Sequence, residues 1–304
     1  MDRIDMLRAF VAVVDAGSFT AAGERLRMSN KLVSKYVAAL EDRIGATLLY
    51  RTTRALSLTA DGEAYLAQAR RALSAFEALE GVLDRDQGAL SGNLRITAPA
   101  TFGEIFVTDL THDFLRDHPR VTIDLELTDR YINLPAEAFD IAIRIGNLGD
   151  SSMMSRKLGQ TEAWVVASPA YLAINGAPQV PGDLRDHRCI RDTNDSSFTR
   201  TSFVVAGKPV SLALQSRISV NSAGAVCRLA LAGEGVAIVP AFAVQAEVAA
   251  GRLIRLLAPY ATSQLDIQAL HLPRPFPVPR VAAYLDYLRE RLKPRLNPEL
   301  PRGS

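Results

Sequence analysis

The sequence has few of the residues that covalent or redox chemistry requires. Among 304 residues there are two cysteines, Cys189 and Cys227, together with four histidines and one tryptophan. Two cysteines cannot build a disulfide framework, so reduced thiols in a reducing compartment are expected. Apolar neighbours such as Val226 favour an inert, buried Cys227, and a redox role for the two cysteines stays open.

Long hydrophobic runs are also missing. Apolar stretches such as 9–14 and 236–240 fall far short of the roughly 20 residues that a membrane helix needs. The N-terminal sequence MDRIDMLRAFVAVVDAG carries two aspartates and lacks the basic region and cleavage site of a signal peptide. We therefore predict a cytoplasmic protein with no membrane partner.

Motifs of the common enzyme classes are absent as well. The sequence contains no glycine-rich phosphate loop, no Gly-x-Ser-x-Gly and no set of cysteines and histidines with metal-ligand spacing. The four histidines are scattered, at positions 112, 118, 187 and 271. The prediction is a protein with no catalytic residues, no metal and no cofactor. An enzyme of organic-acid metabolism is the alternative, and it would need a catalytic constellation that the sequence does not display.

What the sequence does have is length, average composition and a local concentration of positive charge. A chain of 304 residues exceeds what one hydrophobic core usually covers, which predicts two domains. The net charge is only +2, but residues 20–59 carry four more basic than acidic side chains. A basic segment in a nearly neutral chain favours nucleic acid as a partner.

The N-terminal segment is patterned as three helices. Apolar residues at spacings of three and four predict one helix over 3–15, which Gly17 ends. Ser18 is placed to cap a short second helix to Leu26, and Ser29 to cap a third. Two helices joined by so few residues are typical of a helix-turn-helix, whose second helix enters the major groove. A helical hairpin with a polar surface fits the same spacing.

The third helix has one apolar stripe and an opposite face without bulky side chains. Amide, hydroxyl and cationic groups on such a face can contact base edges and phosphates. The residues of this helix that we predict to bind DNA are Ser29, Asn30, Lys31, Ser34 and Lys35.

The segment 46–59, ATLLYRTTRALSLT, predicts a two-stranded wing after the third helix. Apolar residues that favour strands flank an RTTR tip. Guanidinium groups on such a tip suit phosphate or a narrow minor groove, and threonine hydroxyls can donate to phosphate. Arg51, Thr52, Thr53 and Arg54 are therefore predicted to bind DNA.

The stretch SFTAAGERLRMSNKLVSKYVAALEDRIGATLLYRTTRALSLTADGEAYL resembles the N-terminal domain of LysR-type transcriptional regulators, over about sixty consecutive residues. That family commonly has Ser-Gln-Pro-Ala-Val-Ser-Arg where this chain has Ser-Asn-Lys-Leu-Val-Ser-Lys. The departures fall at Asn30, Lys31 and Lys35, on the face predicted to touch bases, so the resemblance does not imply an operator sequence. It implies an N-terminal all-α winged helix-turn-helix followed by a long linker helix.

Residues 60–91 are predicted to form this linker helix and a hinge, after a DNA-binding domain of residues 1–59. An apolar stripe runs along the helix, and the resemblance implies that it packs against the same helix of a second subunit. The residues predicted at this dimer interface are Leu66, Ala69, Leu73, Phe76, Leu79 and Leu83. Packing of the helix on the chain's own domain is the alternative.

From residue 92 onwards strand-like and helix-like segments alternate, which predicts an α/β domain. The segments GNLRITAP, FDIAIRIG and GEGVAIVP resemble the effector domain of the same family. The resemblance implies a fold like that of periplasmic solute-binding proteins, with one subdomain of residues 92–163 and 267–298 and another of 164–266. Strands are predicted over 94–98, 121–127, 138–143, 164–167, 217–220 and 236–239, and helices over 102–116, 223–232 and 279–292.

A ligand cleft between two such subdomains is expected. Two strand-to-helix turns would offer helix N-termini with hydroxyl groups, which suit a carboxylate. Arg144 and Arg130 are candidate counter-charges, with an ordinary structural role as the alternative for each. The residues predicted to bind the effector are Ala98, Pro99, Ala100, Thr101, Phe102, Arg144, Asn221 and Ser222.

These patterns together predict a bacterial transcription regulator that binds double-stranded DNA and a small-molecule effector, an organic acid or an aromatic metabolite. The resemblance implies a homodimer that pairs again into a homotetramer, and RNA polymerase is kept as a further candidate partner. Activation and repression are not distinguished. The rival hypothesis is a small-molecule-binding protein with a purely structural helix-turn-helix, which would show no salt-dependent DNA binding.

Overall fold

The N-terminal part of the chain is three short helices, a two-stranded hairpin and one long helix. The computed structural model describes residues 2–51, 56–83, 90–130, 132–146, 153–194, 201–205, 208–260, 262, 264–273 and 278–296. The N-terminal elements are α1 (Arg3–Ala16), α2 (Phe19–Leu26), α3 (Asn30–Ile44), β1 (Leu49–Arg51), β2 (Leu56–Leu58) and α4 (Ala60–Leu83).

Side-chain caps fix where these helices begin. Ser18 accepts a hydrogen bond from the Ala21 amide at 3.1 Å, and Ser29 accepts one from the Leu32 amide at 3.2 Å. Both serines therefore satisfy amides that the helix itself leaves unpaired. Gly17 ends α1 in the left-handed conformation, at φ +67°, which glycine adopts without a steric cost. The predicted starts of α2 and α3 and the predicted end of α1 are confirmed.

The wing is held between α3 and α4. β1 and β2 pair antiparallel, with Leu49 opposite Leu58, and the hairpin packs on the buried core of α1 and α3. The hydroxyl of Thr59 donates to the carbonyl of Thr47 at 2.7 Å and accepts from the amide of Gly62 at 2.8 Å. Thr59 thus ties the start of α4 to the segment that precedes β1.

Gly62 is required by the close approach of α4 to Leu48, the residue that precedes β1. A β-carbon at position 62 would lie 2.1 Å from the carbonyl oxygen of Leu48, so the backbone would have to shift. We expect Gly62→Ala to lower the free energy of unfolding by about 1–3 kcal/mol, although alanine is the better helix former. Circular dichroism of the full chain in urea measures this loss, because the N-terminal part is mostly helical.

Gly182→Ala is the matched control, since a β-carbon at position 182 would meet nothing within 4 Å. Trp164, the one tryptophan, lies in the C-terminal part, so its fluorescence follows unfolding there separately. Equal urea midpoints for the two alanine variants would contradict the packing of α4 on β1.

The C-terminal part is an α/β fold of eleven described strands. Its strands are β3 (Gly92–Ala98), β4 (Val121–Leu127), β5 (Ile141–Ile145), β6 (Met154–Ala167), β7 (Cys189–Asp192), β8 (Thr201–Val205), β9 (Lys208–Leu212), β10 (Ser216–Val220), β11 (Val236–Pro240), β12 (Ile254–Leu256) and β13 (Gln264–His271). Its helices are α5 (Ala100–Phe102), α6 (Thr108–Asp117), α7 (Leu134–Glu137), α8 (Pro169–Asn175), α9 (Ala223–Leu231), α10 (Gln245–Ala249) and α11 (Pro279–Leu296).

One long strand, β6, is shared by the two halves of the main sheet. The strand order is β10-β7-β11-β6-β13-β5-β3-β4, with β12 also pairing β6. Residues 154–162 of β6 pair with β13, and residues 163–167 pair with β11 and β12. Strands β3, β4 and β5 run parallel on one side, and β7, β10 and β11 run parallel on the other. Each half therefore has its own core, and β6 and β13 connect them.

The cores follow from the apolar alternation of the strands. In β6 and β11, Val165 and Ile238 face one apolar cluster while Val166 and Val239 face another on the opposite side. Buried residues of β3, α6, β5 and α11 form the core of the other half. Such strands are covered on both faces, which explains their nearly continuous apolar sequences.

Several element boundaries differ from the predicted ones. The strand predicted over 138–143 is β5, which starts at Ile141, because Ala138 takes a positive φ of 55° in a turn after α7. The helix predicted over 102–116 starts with α5 and contains a π-helical turn, Gly103–Val107. β6 starts ten residues before the predicted strand 164–167, since its half-exposed first part lacks a continuous apolar run. Within the described part of the chain, no helix has the length and apolar content to cross a membrane.

Candidate functional site

The surface of α3 presents the polar side chains that the sequence placed there. Asn30, Lys31 and Lys35 are exposed and Ser34 is half-buried, whereas Val33 and its stripe are buried. The Asn30 amide nitrogen donates to the hydroxyl of Thr20 in α2 at 3.2 Å, so it also holds the two helices together. Two exposed cations and a hydroxyl near the start of one helix form a surface suited to phosphate and base edges.

The wing is positioned against α3 by a carboxylate. Glu41, in the last part of α3, accepts hydrogen bonds from the amides of Leu48 and Leu49 at 2.8 and 3.1 Å. Arg51 is the last residue of β1, and its side chain lies outside the described part. The predicted contacts Thr52, Thr53 and Arg54 also lie outside the described residues.

The apolar stripe of α4 is covered differently at its start and further along the helix. Ala69 is buried and Leu66 half-buried, and both pack on the core of the chain's own N-terminal domain. Leu73 and Phe76 are half-buried. The side chains of Leu79 and Leu83, at the end of α4, lie outside the described residues. Packing on the chain's own domain, the alternative that the sequence left open, thus accounts for the first two residues of the stripe.

A cavity of about 420 Å³ lies between the two halves of the C-terminal domain. We call it the cleft. The start of α5, the end of β5, the end of β7 and the start of α9 surround it. Four of the predicted effector residues line it, namely Pro99, Thr101, Phe102 and Arg144. The described residues that line the cleft do not include the other four, which are Ala98, Ala100, Asn221 and Ser222.

The cleft contains charges of both signs. Arg144 and Arg130 line it together with Asp129 and Asp192. The guanidinium of Arg144 donates to the carbonyls of Ile143 and Arg130 at 3.1 and 3.3 Å, which orients it. Burial lowers the pKa of Arg144, and Asp129 opposes that shift. Burial likewise raises the pKa of Asp129, whereas the hydrogen bond from the Ala100 amide and the charge of Arg144 both act to lower it.

The two predicted helix N-termini already have partners within the chain. The Ala100 amide donates to the carboxylate of Asp129 at 3.4 Å. The Gly224 amide at the start of α9 donates to the hydroxyl of Thr101 at 2.9 Å, across the cleft. Ser222 caps the same helix by accepting from the Ala225 amide at 3.3 Å. Arg144 is therefore a stronger candidate than either helix N-terminus for binding an anion, because its charge is not used in capping a helix.

Sequence reasoning missed the two carboxylates and Phe242, although it predicted Phe102 as part of the site. Phe102, Phe106 and Phe242 form an aromatic cluster with centroids 5.1–5.9 Å apart, and Phe102 and Phe242 line the cleft. Asp129 follows β4 and Asp192 ends β7. A polar residue at the carboxyl end of a parallel strand was the available signal, since ligands of α/β sheets bind there.

Both cysteines are buried, and burial raises the pKa of each thiol, to about 11 for Cys189. They also belong to different apolar clusters. We predict that the native protein reacts with a thiol reagent at neutral pH about a hundredfold more slowly than the unfolded chain, because the thiolate is the reacting species. Absorbance after adding Ellman's reagent, with and without urea, measures the two rates. Rapid reaction of one thiol in the native protein would instead make that cysteine a candidate redox sensor.

No group of three or more histidine, cysteine, aspartate or glutamate side chains in the described ranges is arranged to hold a metal ion. The recognisable sites are the polar face of α3 and the cleft. A winged helix-turn-helix joined by a long helix to a two-lobed α/β domain defines a class of ligand-responsive DNA-binding proteins.

Comparison with known proteins identifies the family. Residues 4–63 match the bacterial regulatory helix-turn-helix protein, lysR family, and residues 87–293 match the LysR substrate binding domain. The chain belongs to the LysR family of transcriptional regulators. Members of this family are regulators and not enzymes, which confirms the prediction of a non-enzymatic protein.

Relatives match along nearly the whole chain. The HTH-type transcriptional regulator PtxR of Pseudomonas aeruginosa is 38% identical over 95% of this chain and 93% of its own length. The solved structure of CrgA, a LysR-type transcriptional regulator from Neisseria meningitidis, is 33% identical with a TM-score of 0.58, covering 95% of this chain and 98% of that one. The full-length structure of the Vibrio cholerae virulence activator AphB, 23% identical with a TM-score of 0.59 over 94% of this chain and 98% of that one, shares the fold. The predicted fold class, a winged helix-turn-helix with a periplasmic-binding-protein-like C-terminal domain, is confirmed.

Proposed function

We propose that this LysR-family regulator binds specific DNA sequences through α3 and the wing, and that a small carboxylic acid in the cleft controls that binding. The observation that carries the proposal is that one chain combines an exposed cationic helix face with a partly apolar cleft that contains an arginine. Asn30, Lys31 and Lys35 form an exposed polar face on a capped helix, and Arg144 lies in a partly apolar cleft. Ser29, Ser34 and the tip residues Arg51, Thr52, Thr53 and Arg54 complete the proposed DNA contacts.

The chemistry of the cleft narrows the effector class. Arg144 suits a carboxylate, and Phe102 and Phe242 suit an aromatic or aliphatic body. Asp129 and Asp192 accept hydrogen bonds, and Asp192 is only 5% exposed. The Asn194 amide donates to Asp192 at 2.9 Å and the Ala100 amide donates to Asp129 at 3.4 Å, and a carboxylate can accept further hydrogen bonds. An acid that also carries a hydroxyl or amino group would donate to these remaining lone pairs, and this is the effector class we favour.

Control requires the ligand to favour one arrangement of the protein over another. We divide the effector domain of residues 92–298 into subdomain I (92–163 and 267–298) and subdomain II (164–266). Thr101 bonds to Gly224 across the cleft between them. A ligand there would change the angle between the subdomains, and the linker of residues 60–91 would transmit that change to the DNA-binding domain of residues 1–59.

Assembly follows from the same reasoning. We propose a homodimer that forms through the later part of α4, around Phe76, Leu79 and Leu83, and a tetramer formed by pairing of effector domains. Two DNA-binding domains would then read two half-sites. DNA as a partner places the protein in the bacterial cytoplasm, where RNA polymerase is a further candidate partner.

A ligand screen tests the proposed function. The full-length protein is heated with a panel of hydroxy, amino and aromatic carboxylic acids, and each acid that raises Tm is added to a mobility-shift assay with the intergenic DNA beside the gene. Binding to the folded state raises Tm, and we expect at least one such acid to change the DNA affinity. If acids raise Tm but leave the DNA affinity unchanged, the cleft has no regulatory role.

A further inference from the structure

A second cavity, of about 270 Å³, lies between the N-terminal domain and the effector domain of the same chain. We call it the interdomain cavity. Residues of α1, α2 and α4 line one side, and residues of β3, α11 and the turn at 138–140 line the other. A molecule bound in it would contact both domains at once.

The interdomain cavity is strongly basic. Its lining contains six arginines, which are Arg8, Arg25, Arg70, Arg71, Arg95 and Arg280. The acidic side chains in the described lining are Asp15 and Asp140, which leaves an excess of four positive charges. By contrast, the cleft carries equal numbers of arginines and aspartates.

The two carboxylates are engaged and do not neutralise this excess. Asp15 forms an ion pair with Arg70, and the guanidinium of Arg25 lies 3.9 Å from the same carboxylate. Asp140 accepts a hydrogen bond from the backbone amide of Arg95 at 3.0 Å. Asp15 therefore divides its charge between two arginines, and Asp140 is engaged by a backbone amide.

Arg71 and Arg95 are the two arginines of the cavity whose surroundings favour an anion. The Nε atom of Arg71 is buried and has no hydrogen-bond partner, a rare condition for a buried polar atom. The guanidinium of Arg95 donates to the carbonyl of Glu137 and lies 4.7 Å from the ring centroid of Phe139. Burial, and then the nearby charge of Arg70, lower the pKa of Arg95, and the charges of Asp124, Asp15 and Glu126 oppose this shift. Positive charges held together at low solvent exposure are stabilised by a bound anion.

We propose that the interdomain cavity binds a small oxyanion with two or more negative charges through Arg71 and Arg95. Phosphate groups and polycarboxylates share the required chemistry, since both present several oxygens to planar guanidinium groups. The volume suits an anion of this size rather than the larger ligand expected in the cleft.

Anion binding here would couple the two domains. Because Arg71 lies on α4 and Arg95 on β3, the anion bridges the linker helix and the effector domain. It would stabilise their contact and alter DNA affinity, and DNA would alter anion affinity by the same factor. The site is thus a second input, separate from the cleft.

Isothermal titration of the full-length protein with inorganic phosphate and, separately, with citrate tests the proposal at constant ionic strength. We expect one of the two to bind, and the one that binds identifies phosphate or polycarboxylate as the preferred chemistry. Arg71→Gln and Arg95→Gln should each weaken that binding about tenfold or more, the loss expected when a charged hydrogen bond is removed. Arg71→Gln should also unfold at a Tm no lower than that of the wild type without anion, because it removes a repelling charge.

Two control variants distinguish binding in the interdomain cavity from binding elsewhere on the protein. Arg144→Gln removes a charge from the cleft and Lys35→Ala removes one from α3, and both should bind the anion as the wild type does. The proposal is overturned if neither anion binds the wild type, or if Arg71→Gln, folded by the Tm criterion, binds with unchanged affinity. It is also overturned if Lys35→Ala abolishes binding, which would place the anion on the DNA surface. Citrate is a hydroxy acid of the class proposed for the cleft, so binding that Arg144→Gln abolishes would place the anion in the cleft and would also overturn the proposal. The proposed function is tested separately, by the effect of the thermal-shift hits on DNA affinity.

Discussion

Lys35→Ala is expected to weaken binding to the intergenic DNA beside the gene roughly 5- to 150-fold, the range for losing one base or phosphate contact. Lys35 is exposed on the same face of α3 as Lys31, so its removal takes away a cation without disturbing the buried stripe around Val33. Fluorescence anisotropy with labelled DNA measures the dissociation constant. The slope of log affinity against log salt should become shallower, since fewer counterions are released.

Lys208→Ala is the control for this variant. Lys208 is also exposed, but it lies in β9 of the effector domain, far along the chain from the helix-turn-helix. The same charge is removed, so a general loss of electrostatic attraction would weaken both variants alike. Equal dissociation constants for Lys35→Ala and the wild type would remove α3 from the DNA interface.

Arg144→Ala is expected to weaken effector binding about 30-fold or more, the cost of removing one partner from a buried charge pair. Arg144 is held in place by two carbonyls and is the better-buried of the two arginines in the cleft. Its removal also leaves Asp129 without the nearby positive charge that opposes the rise in its pKa. Calorimetric titration with an acid selected by the thermal-shift screen measures the loss, and the DNA response to that acid should disappear with it.

Arg130→Ala provides the comparison at the rim of the cleft. Arg130 is exposed and pairs with Glu126 and Glu137, and exposed ion pairs contribute little. We expect its loss to change effector affinity by less than about fivefold. If Arg130→Ala were the more damaging change, the carboxylate would be bound at the rim and not beside Arg144.

The fold could be predicted from the sequence where local chemistry decides it. Ser18 and Ser29 cap helices as predicted, and the strand 121–127 has the predicted bounds. These features depend on a few neighbouring residues and on short periodic patterns. Family resemblance supplied the rest of the architecture, which the sequence matches confirm.

The cleft could be predicted only in part, because its walls come from distant segments. Thr101 was predicted because it lies in a strand-to-helix turn, and Arg144 because it follows a predicted strand. The bond from Gly224 to Thr101, and the carboxylate of Asp129 on the Ala100 amide, join residues that no periodic pattern connects. These contacts changed the interpretation of both helix N-termini from open anion sites to capped ends.

The stripe of α4 shows a similar limit. A periodic apolar pattern predicts that one face of a helix is buried, but it does not identify the residues that bury it. Leu66 and Ala69 are covered by the chain's own N-terminal core, whereas the family resemblance implied that a second subunit covers them. The six arginines of the interdomain cavity are spread from position 8 to position 280, so only the folded chain brings them together.

The most direct test of the central claim is a competition between the intergenic DNA beside the gene and a shuffled DNA of equal length, at two salt concentrations. We expect the wild-type protein to prefer the intergenic DNA by about a thousandfold or more, with the affinity for both falling as salt rises. Equal affinity for the two DNAs at both salt concentrations would contradict the account of this chain as a sequence-specific regulator.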